Sequence, residues 1–395
     1  MNSTQQSGRR RFLSAAVCAT VAPWMSSAVA AQRADTSLDA FIRTWMRTAR
    51  IPGLAVGVAR DGRVTLARGY GFADLAARRP VTRDSMFHIA SVTKPVTATV
   101  VMQLVEQGHM QLDDPVDPFL DFALRNPRHA DTPITFRHLL MHTSGISDER
   151  YVEIEFRTRG RDSDMDIGTQ VKDCLAPGGK SYVPDKCFGP DAPGERWDYS
   201  NLGYALLGYL ATRISGTDMR EQANARIFTR LGMKNISWTI AGTPKALRVT
   251  PYDLVDDRFV AEEPVGFPDW SAGMLRASVA DFALFLAASA DGGATTTARI
   301  ATADSQRQMF DMRQPAGLAP WLTGQGLGWG SALLDKRSLI EHWGGDPGVF
   351  TAAYVDPSTR TGVCVFTNST ATKPGREAVK AISARLLSMH DGLGG

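Results

Sequence analysis

Apolar residues recur along this chain at two different periods, and the switches between them outline its elements. Residues 37–50 carry apolar side chains at helical spacing, an amphipathic helix. Two apolar runs then follow, residues 53–59 and 64–70, with Asp61-Gly62 between them. That dipeptide favours the tight turn of a β-hairpin. From Val96 the period returns to helical: Val96, Val100, Val101, Leu104 and Val105 share one face. A turn at residues 112–116 closes this helix. Thr135 caps a short helix that ends at Thr143-Ser144-Gly145. Helical patterns recur at residues 202–213, 219–231 and 279–288, the last with Ser278 and Asp281 placed as a capping box. Three strand-like runs follow at residues 339–343, 350–355 and 362–368. A final helix covers residues 374–389.

Residues 147–192 break this regularity. They mix Arg157, Arg159, Arg161, Asp162, Asp164 and Asp166 with Pro, Gly and two cysteines, with room for one short helix at residues 167–175. Long irregular segments of this kind often serve as lids or binding loops. Strands at both chain ends with helices between predict an α/β fold: an antiparallel sheet flanked by helices, with an inserted, mostly helical lobe. The expected division is a sheet lobe from residues 35–105 and 320–395, and a helical lobe from residues 106–319. There is no internal repeat.

The N-terminus modifies the charge picture. Arg9-Arg10-Arg11-Phe12-Leu13 reads as a twin-arginine signal, and Ala28-Val29-Ala30 as a small-x-small cleavage site. Residues 1–31 are therefore expected to direct export through the Tat translocase to a periplasmic or secreted location. They are too short and polar for stable membrane insertion. The whole chain carries a net charge of +3. Three arginines and no acids lie in residues 1–30, so the mature chain is neutral and its charge indicates no nucleic-acid partner. With 43% hydrophobic residues the chain is globular. Cys18 would leave with the signal, and Cys364 sits in an apolar run. In an oxidising compartment, Cys174 and Cys187 are candidates for a disulfide.

Three constellations carry chemistry. Ser91 and Lys94 stand three apart at a helix start, so both fall on one face. Serine needs a base to become a nucleophile, and a buried lysine near the positive end of a helix can lose its proton to become one. Tyr199 and Asn201, two apart in an extended link, point the same way. A tyrosine can exchange protons with a serine or a leaving group, and an asparagine amide can hold a substrate carbonyl. His342-Trp343-Gly344-Gly345 lies at the end of an apolar strand, where glycines allow close backbone approach.

Together, Ser91-x-x-Lys94, Tyr199-Ser200-Asn201 and His342-Trp343-Gly344 resemble the serine β-lactamase and penicillin-binding-protein superfamily in its class C β-lactamase-like branch. That branch also holds family VIII esterases, D-aminopeptidases and D,D-carboxypeptidases. The segments Phe87-His88-Ile89-Ala90-Ser91, Leu139-Leu140-Met141-His142-Thr143-Ser144-Gly145, Pro193-Gly194-Glu195, Ser271-Ala272-Gly273-Met274 and Gly326-Leu327-Gly328-Trp329 share the likeness, which spans residues 37–390. The resemblance implies that Ser91 is acylated and that Lys94 and Tyr199 share general-base and general-acid duty. It also implies that Asn201 contacts the acyl amide. Backbone N–H groups of Ser91 and Gly345 would form the oxyanion hole, and the edge carrying His342, Trp343 and Gly344 would line the cleft.

His342 departs from the Lys-Thr-Gly usual in the family's β-lactamases and carboxypeptidases. A neutral imidazole offers one donor, where lysine offers a cation. The expected substrate is therefore a small ester, amide or peptide not anchored by its carboxylate, with carboxylate preference growing only as His342 protonates at low pH. No Glu-x-x-Leu-Asn segment is present to assign deacylation. His138 and His142 stand four apart without a third ligand, so helix-end packing is expected of them and no metal or cofactor is. There is no Gly-x-Ser-x-Gly elbow and no dinucleotide fingerprint.

Overall fold

The computed structural model describes the backbone of residues 24–389 and side chains from residue 37 onward. The twin-arginine segment and Cys18 lie outside the described residues, as do the side chains of Ala28-Val29-Ala30. The chain divides into two compact units, residues 1–43 and 44–395. Helix α1 (Trp24–Ala49) starts well before the predicted position, and its greater part belongs to the first unit. No helix among the described residues is long and apolar enough to cross a membrane.

The second unit is built on an eight-stranded antiparallel sheet that uses both ends of the chain. Its first three strands are β1 (Gly53–Arg60), β2 (Arg63–Asp74) and β3 (Arg79–Pro80). The others are β4 (Gly324–Gln325), β5 (Gly330–Leu334), β6 (Arg337–Asp346), β7 (Val349–Asp356) and β8 (Thr361–Thr367). The order across the sheet is β4-β5-β6-β7-β8-β1-β2-β3. The β1–β2 turn forms as expected: Asp61 and Gly62 both take positive φ, at 46° and 70°. Every residue of β7 and β8 is buried, so helices must cover both sheet faces. The main ones are α4 (Val279–Ala290) and α5 (Lys373–Ser388). Between β3 and β4 run the helix of the Ser-x-x-Lys motif, α2 (Lys94–Glu106), and α3 (Asn201–Ser215).

Several elements differ from expectation. β6 continues through Asp346, so Gly344 and Gly345 lie within the strand rather than past its end. The two-residue β4 and the five-residue β5 were not apparent in the pattern, being too short and glycine-rich to show a period. Residues 219–231 contain a wider, π-type turn at Asn224–Phe228. The Ser278–Asp281 pair does not close a capping box. Ser278 Oγ accepts the Asp281 N–H and donates to the Asp281 carboxylate, which also takes the N–H groups of Lys234 and Asn235, while the Ser278 N–H goes to the Asn235 carbonyl.

The irregular segment 147–192 is ordered in pieces. Its helix spans Ile167–Leu175 as read from sequence, and Thr158–Arg159 pairs with Val265–Gly266. Within it the expected disulfide does not form: Cys174 and Cys187 are buried free thiols. Cys187 Sγ accepts the Val183 N–H at 3.3 Å and faces the Ser181 carbonyl at 3.9 Å. Burial first, and the neighbouring Cys187 second, push the Cys174 thiol up to about 12. Little thiolate is then available there to start exchange.

Candidate functional site

The nucleophile candidate sits on a tight turn that feeds a buried helix. Residues Ala90–Thr93 form a 3-10 turn, and α2 begins at Lys94 with Pro95 in its first turn. Ala90 takes φ +47°, a left-handed conformation that costs an alanine about 1 kcal/mol or more. Against this turn lies β6. A Cβ on Gly344 would stand 2.3 Å from the Ile89 carbonyl oxygen and 3.0 Å from Ser91 N. Only glycine allows that approach.

Lys94 is fully buried. Its Nζ lies 2.8 Å from Asn201 Oδ1, 2.8 Å from the Ala272 carbonyl and 3.2 Å from Ser91 Oγ. Burial pulls its pKa down to about 7, and the carboxylates of Asp148 and Asp269 oppose that shift. A neutral amine has two hydrogens and one lone pair. The two carbonyl oxygens claim the hydrogens, which leaves the lone pair for the Ser91 hydroxyl proton.

Tyr199 hydrogen-bonds Ser91, and burial raises its pKa well above the ordinary phenol range. It therefore remains a hydroxyl with a proton to donate, beside a Lys94 amine that can accept one. The Lys94 ammonium position lies 4.7 Å from the Tyr199 ring centroid.

The start of α3 is held from outside by Asp148. Its carboxylate accepts from Ser200 Oγ at 2.8 Å, Asn201 N at 2.6 Å and Leu202 N at 3.1 Å. Ser200 also caps the helix by accepting the Gly203 N–H. His142, in a left-handed conformation at φ +57°, stacks on Tyr199 with ring centroids 4.3 Å apart. Its Nδ1 accepts the Ser200 N–H at 3.1 Å, and burial keeps it neutral. Sequence reasoning assigned His142 only to a helix end and did not single out Asp148. His138 does act there: it completes a reciprocal cap with Thr135.

Two cavities meet at this centre. One, of about 410 Å³, is lined by Ser91, Asn201, Gly345, Tyr151 and Asp269. Tyr151 donates to Asp269 at 2.9 Å, and Gln170 donates to its other oxygen at 3.1 Å. Arg157, from the irregular segment, pairs with Asp346 at the end of β6 at 2.8 Å across this cavity's edge. The second cavity, about 860 Å³, is lined by Tyr199, His342, Trp343 and Gly344, and also by Gly345. β5 pairs with β6 only as far as Glu341, so residues 342–346 keep one edge without a strand partner among the described residues. Alternate N–H groups of that edge are available to a substrate.

His342 differs from expectation. Its Nδ1 lies 2.8 Å from the Trp343 carbonyl, an acceptor, so Nδ1 carries the hydrogen and Nε2 is an acceptor. Burial and the nearby Lys94 pull its pKa down to about 3. It does not gain charge over the ordinary acid range, and the carboxylate preference expected at lower pH loses its basis.

The model of the family described as Beta-lactamase matches residues 38–386 of this chain. The chain belongs to that family. Esterase EstB of Burkholderia gladioli is 32% identical over 55% of this chain and 54% of its own length. The match therefore spans about half of that relative. Penicillin-binding protein 4 of Amycolatopsis lactamdurans is 31% identical over 80% of this chain and 81% of its own. Among solved structures, the D-amino acid amidase of Ochrobactrum anthropi SV3 in complex with L-phenylalanine amide has a TM-score of 0.71 and 25% identity. That likeness covers 90% of this chain and 99% of the amidase. The fold is thus β-lactamase/transpeptidase-like, and the relatives of this family member include hydrolases of esters and amides.

Proposed function

We propose that the chain is an exported serine hydrolase that forms an acyl-enzyme at Ser91 and cleaves small esters, amides or peptides. The observation that carries this is the buried Lys94 amine, anchored by two carbonyls 2.8 Å away and 3.2 Å from Ser91 Oγ. As Ser91 Oγ bonds the substrate carbonyl carbon, Lys94 takes its proton. The tetrahedral oxyanion sits against the N–H groups of Ser91 and Gly345. Its collapse breaks the bond to the leaving group, which takes a proton from the Tyr199 hydroxyl. The Lys94 ammonium, which lies 4.7 Å from the Tyr199 ring centroid, then gives its proton to the Tyr199 oxygen, since Ser91 Oγ is now an ester oxygen with none to relay. Water then attacks the acyl carbon, the same groups take up its proton, and Ser91 is released with the acid. Export rests on the twin-arginine segment, and delivery by the Tat translocase follows from it.

A β-lactamase or D,D-carboxypeptidase reading uses the same machinery but places an uncharged acceptor, His342 Nε2, where a substrate carboxylate would need a cation. A catalytically silent penicillin-binding or peptidoglycan-sensing role would not require Ser91, Lys94 and Tyr199 together. A fluorophosphonate probe should label the wild type at Ser91, located by mass spectrometry, and leave folded Ser91→Ala unlabelled. Equal labelling of the two would refute the nucleophile. A panel of p-nitrophenyl esters, D- and L-aminoacyl amides, D-Ala-D-Ala peptides and nitrocefin then ranks the substrate classes.

A further inference from the structure

The larger cavity contains a group that the proposed chemistry does not use. Glu341 is 5% exposed and lines this cavity, and its Oε2 has no hydrogen-bond partner among the described residues. A buried carboxylate without a donor is costly unless something supplies one. Around it the cavity wall is aromatic: Trp197, Trp321, Trp343 and Phe350. Trp321, one of these lining rings, is 62% exposed and so open to a ligand from solvent. One of these rings already draws a cation, since Lys380 Nζ lies 5.3 Å from the Trp343 centroid.

Tyr199 lines this cavity, whereas Ser91 and Asn201 line the smaller one. The group that receives the Tyr199 proton therefore leaves into the larger space. We propose that the larger cavity is a leaving-group pocket for an ammonium-bearing alcohol or amine, whose cation docks on Glu341 among the tryptophans. The assignment to the leaving group rests on the serine hydrolase reading above; the cation site itself does not.

Titratable and charged groups share this space with Glu341: Tyr354 from β7, Tyr199, His142 and Asp198 from the cavity lining, His342 from its own strand, and Arg376 and Lys380 from α5. Burial raises the Glu341 carboxyl to about 8, so assays belong at pH 9.

Choline butyrate and its neutral carbon isostere, 3,3-dimethylbutyl butyrate, differ only in charge. At pH 9 the wild type should favour the choline ester in kcat/KM by about tenfold, with the ratio near one in Glu341→Gln. Lys380→Ala, a change on the helix surface, should raise the ratio by removing a repelling cation. Calorimetry of Ser91→Ala with tetramethylammonium should show binding that Trp321→Ala weakens. Hydrolysis of both esters at equal rates, with no tetramethylammonium binding, would overturn the pocket and leave the hydrolase reading intact. If neither ester is cleaved, the calorimetry alone decides the pocket, for or against, and the fluorophosphonate labelling of Ser91 decides the hydrolase reading separately.

Discussion

Replacing Lys94 with methionine separates the two consequences of a buried amine. The lysine pKa falls from 10.5 to about 7 on folding. The unfolded chain therefore binds more protons than the folded one between those values, and wild-type stability should rise with pH across that window. Burying this group costs about 4 kcal/mol at pH 7 and about 1 kcal/mol at pH 10, from the linkage relation. Lys94→Met removes that cost. It also strands the Asn201 and Ala272 carbonyl oxygens, at about 1–3 kcal/mol each, a loss that does not depend on pH. The net difference at one pH is thus uninformative, but its slope is not. Urea unfolding of both proteins from pH 7 to 10 should show the wild type gaining about 3 kcal/mol on the variant. In parallel, wild-type kcat/KM should climb to a plateau through about pH 7, as the amine loses its proton. Parallel stability curves, together with a pH–rate profile lacking that limb, would refute a neutral Lys94.

Gly344→Ala would force a Cβ to 2.3 Å from the Ile89 carbonyl and should cost at least 1–3 kcal/mol in thermal unfolding, whereas Gly345→Ala, with open space around it, should leave stability unchanged. Asp148→Asn keeps the shape but puts an amide against three donors. It should lower kcat and, by removing a carboxylate that raises the Lys94 pKa, move the acid limb of kcat/KM to lower pH; an unmoved limb would count against a positioning role. Because His342 titrates only near pH 3, the ratio of nitrocefin to p-nitrophenyl butyrate hydrolysis should not follow a His342 titration between pH 5 and 6.5; a rise toward pH 5 would show that the imidazole gains charge there.

What could be read from the sequence was what is local. Ser91 and Lys94 are three apart on one turn, so their 3.2 Å contact follows from helical geometry. The Asp61-Gly62 hairpin and the helix at Ile167–Leu175 likewise depend on neighbouring residues. Tyr199 and Asn201 were legible as a pair two apart. That they converge on Ser91 and Lys94 depends on α3 packing beside α2, more than a hundred residues away in sequence. Asp148 left no signal because an acidic residue in an irregular, charged segment reads as solvated. Its burial arises only because three donors from the start of α3 meet it. The cysteine pair shows the opposite error: composition suggested a bond, and the structure has two buried free thiols, Cys187 with a hydrogen bond from the Val183 N–H.

The same non-locality explains why the amine sits near neutrality. Desolvation alone would push Lys94 further down, and Asp148 and Asp269 push it back. These carboxylates are themselves buried and raised, held by donors from α3, Tyr151 and Gln170. Each holding contact comes from a different part of the chain. The base strength of Lys94 is therefore a property of the packed inserted region and not of the Ser-x-x-Lys tetrad. It follows that substitutions far from Ser91 in sequence, at Tyr151 or Gln170, reach the chemistry by moving Asp269. A relative could keep the tetrad and lose the neutral amine by changing residues that no motif includes.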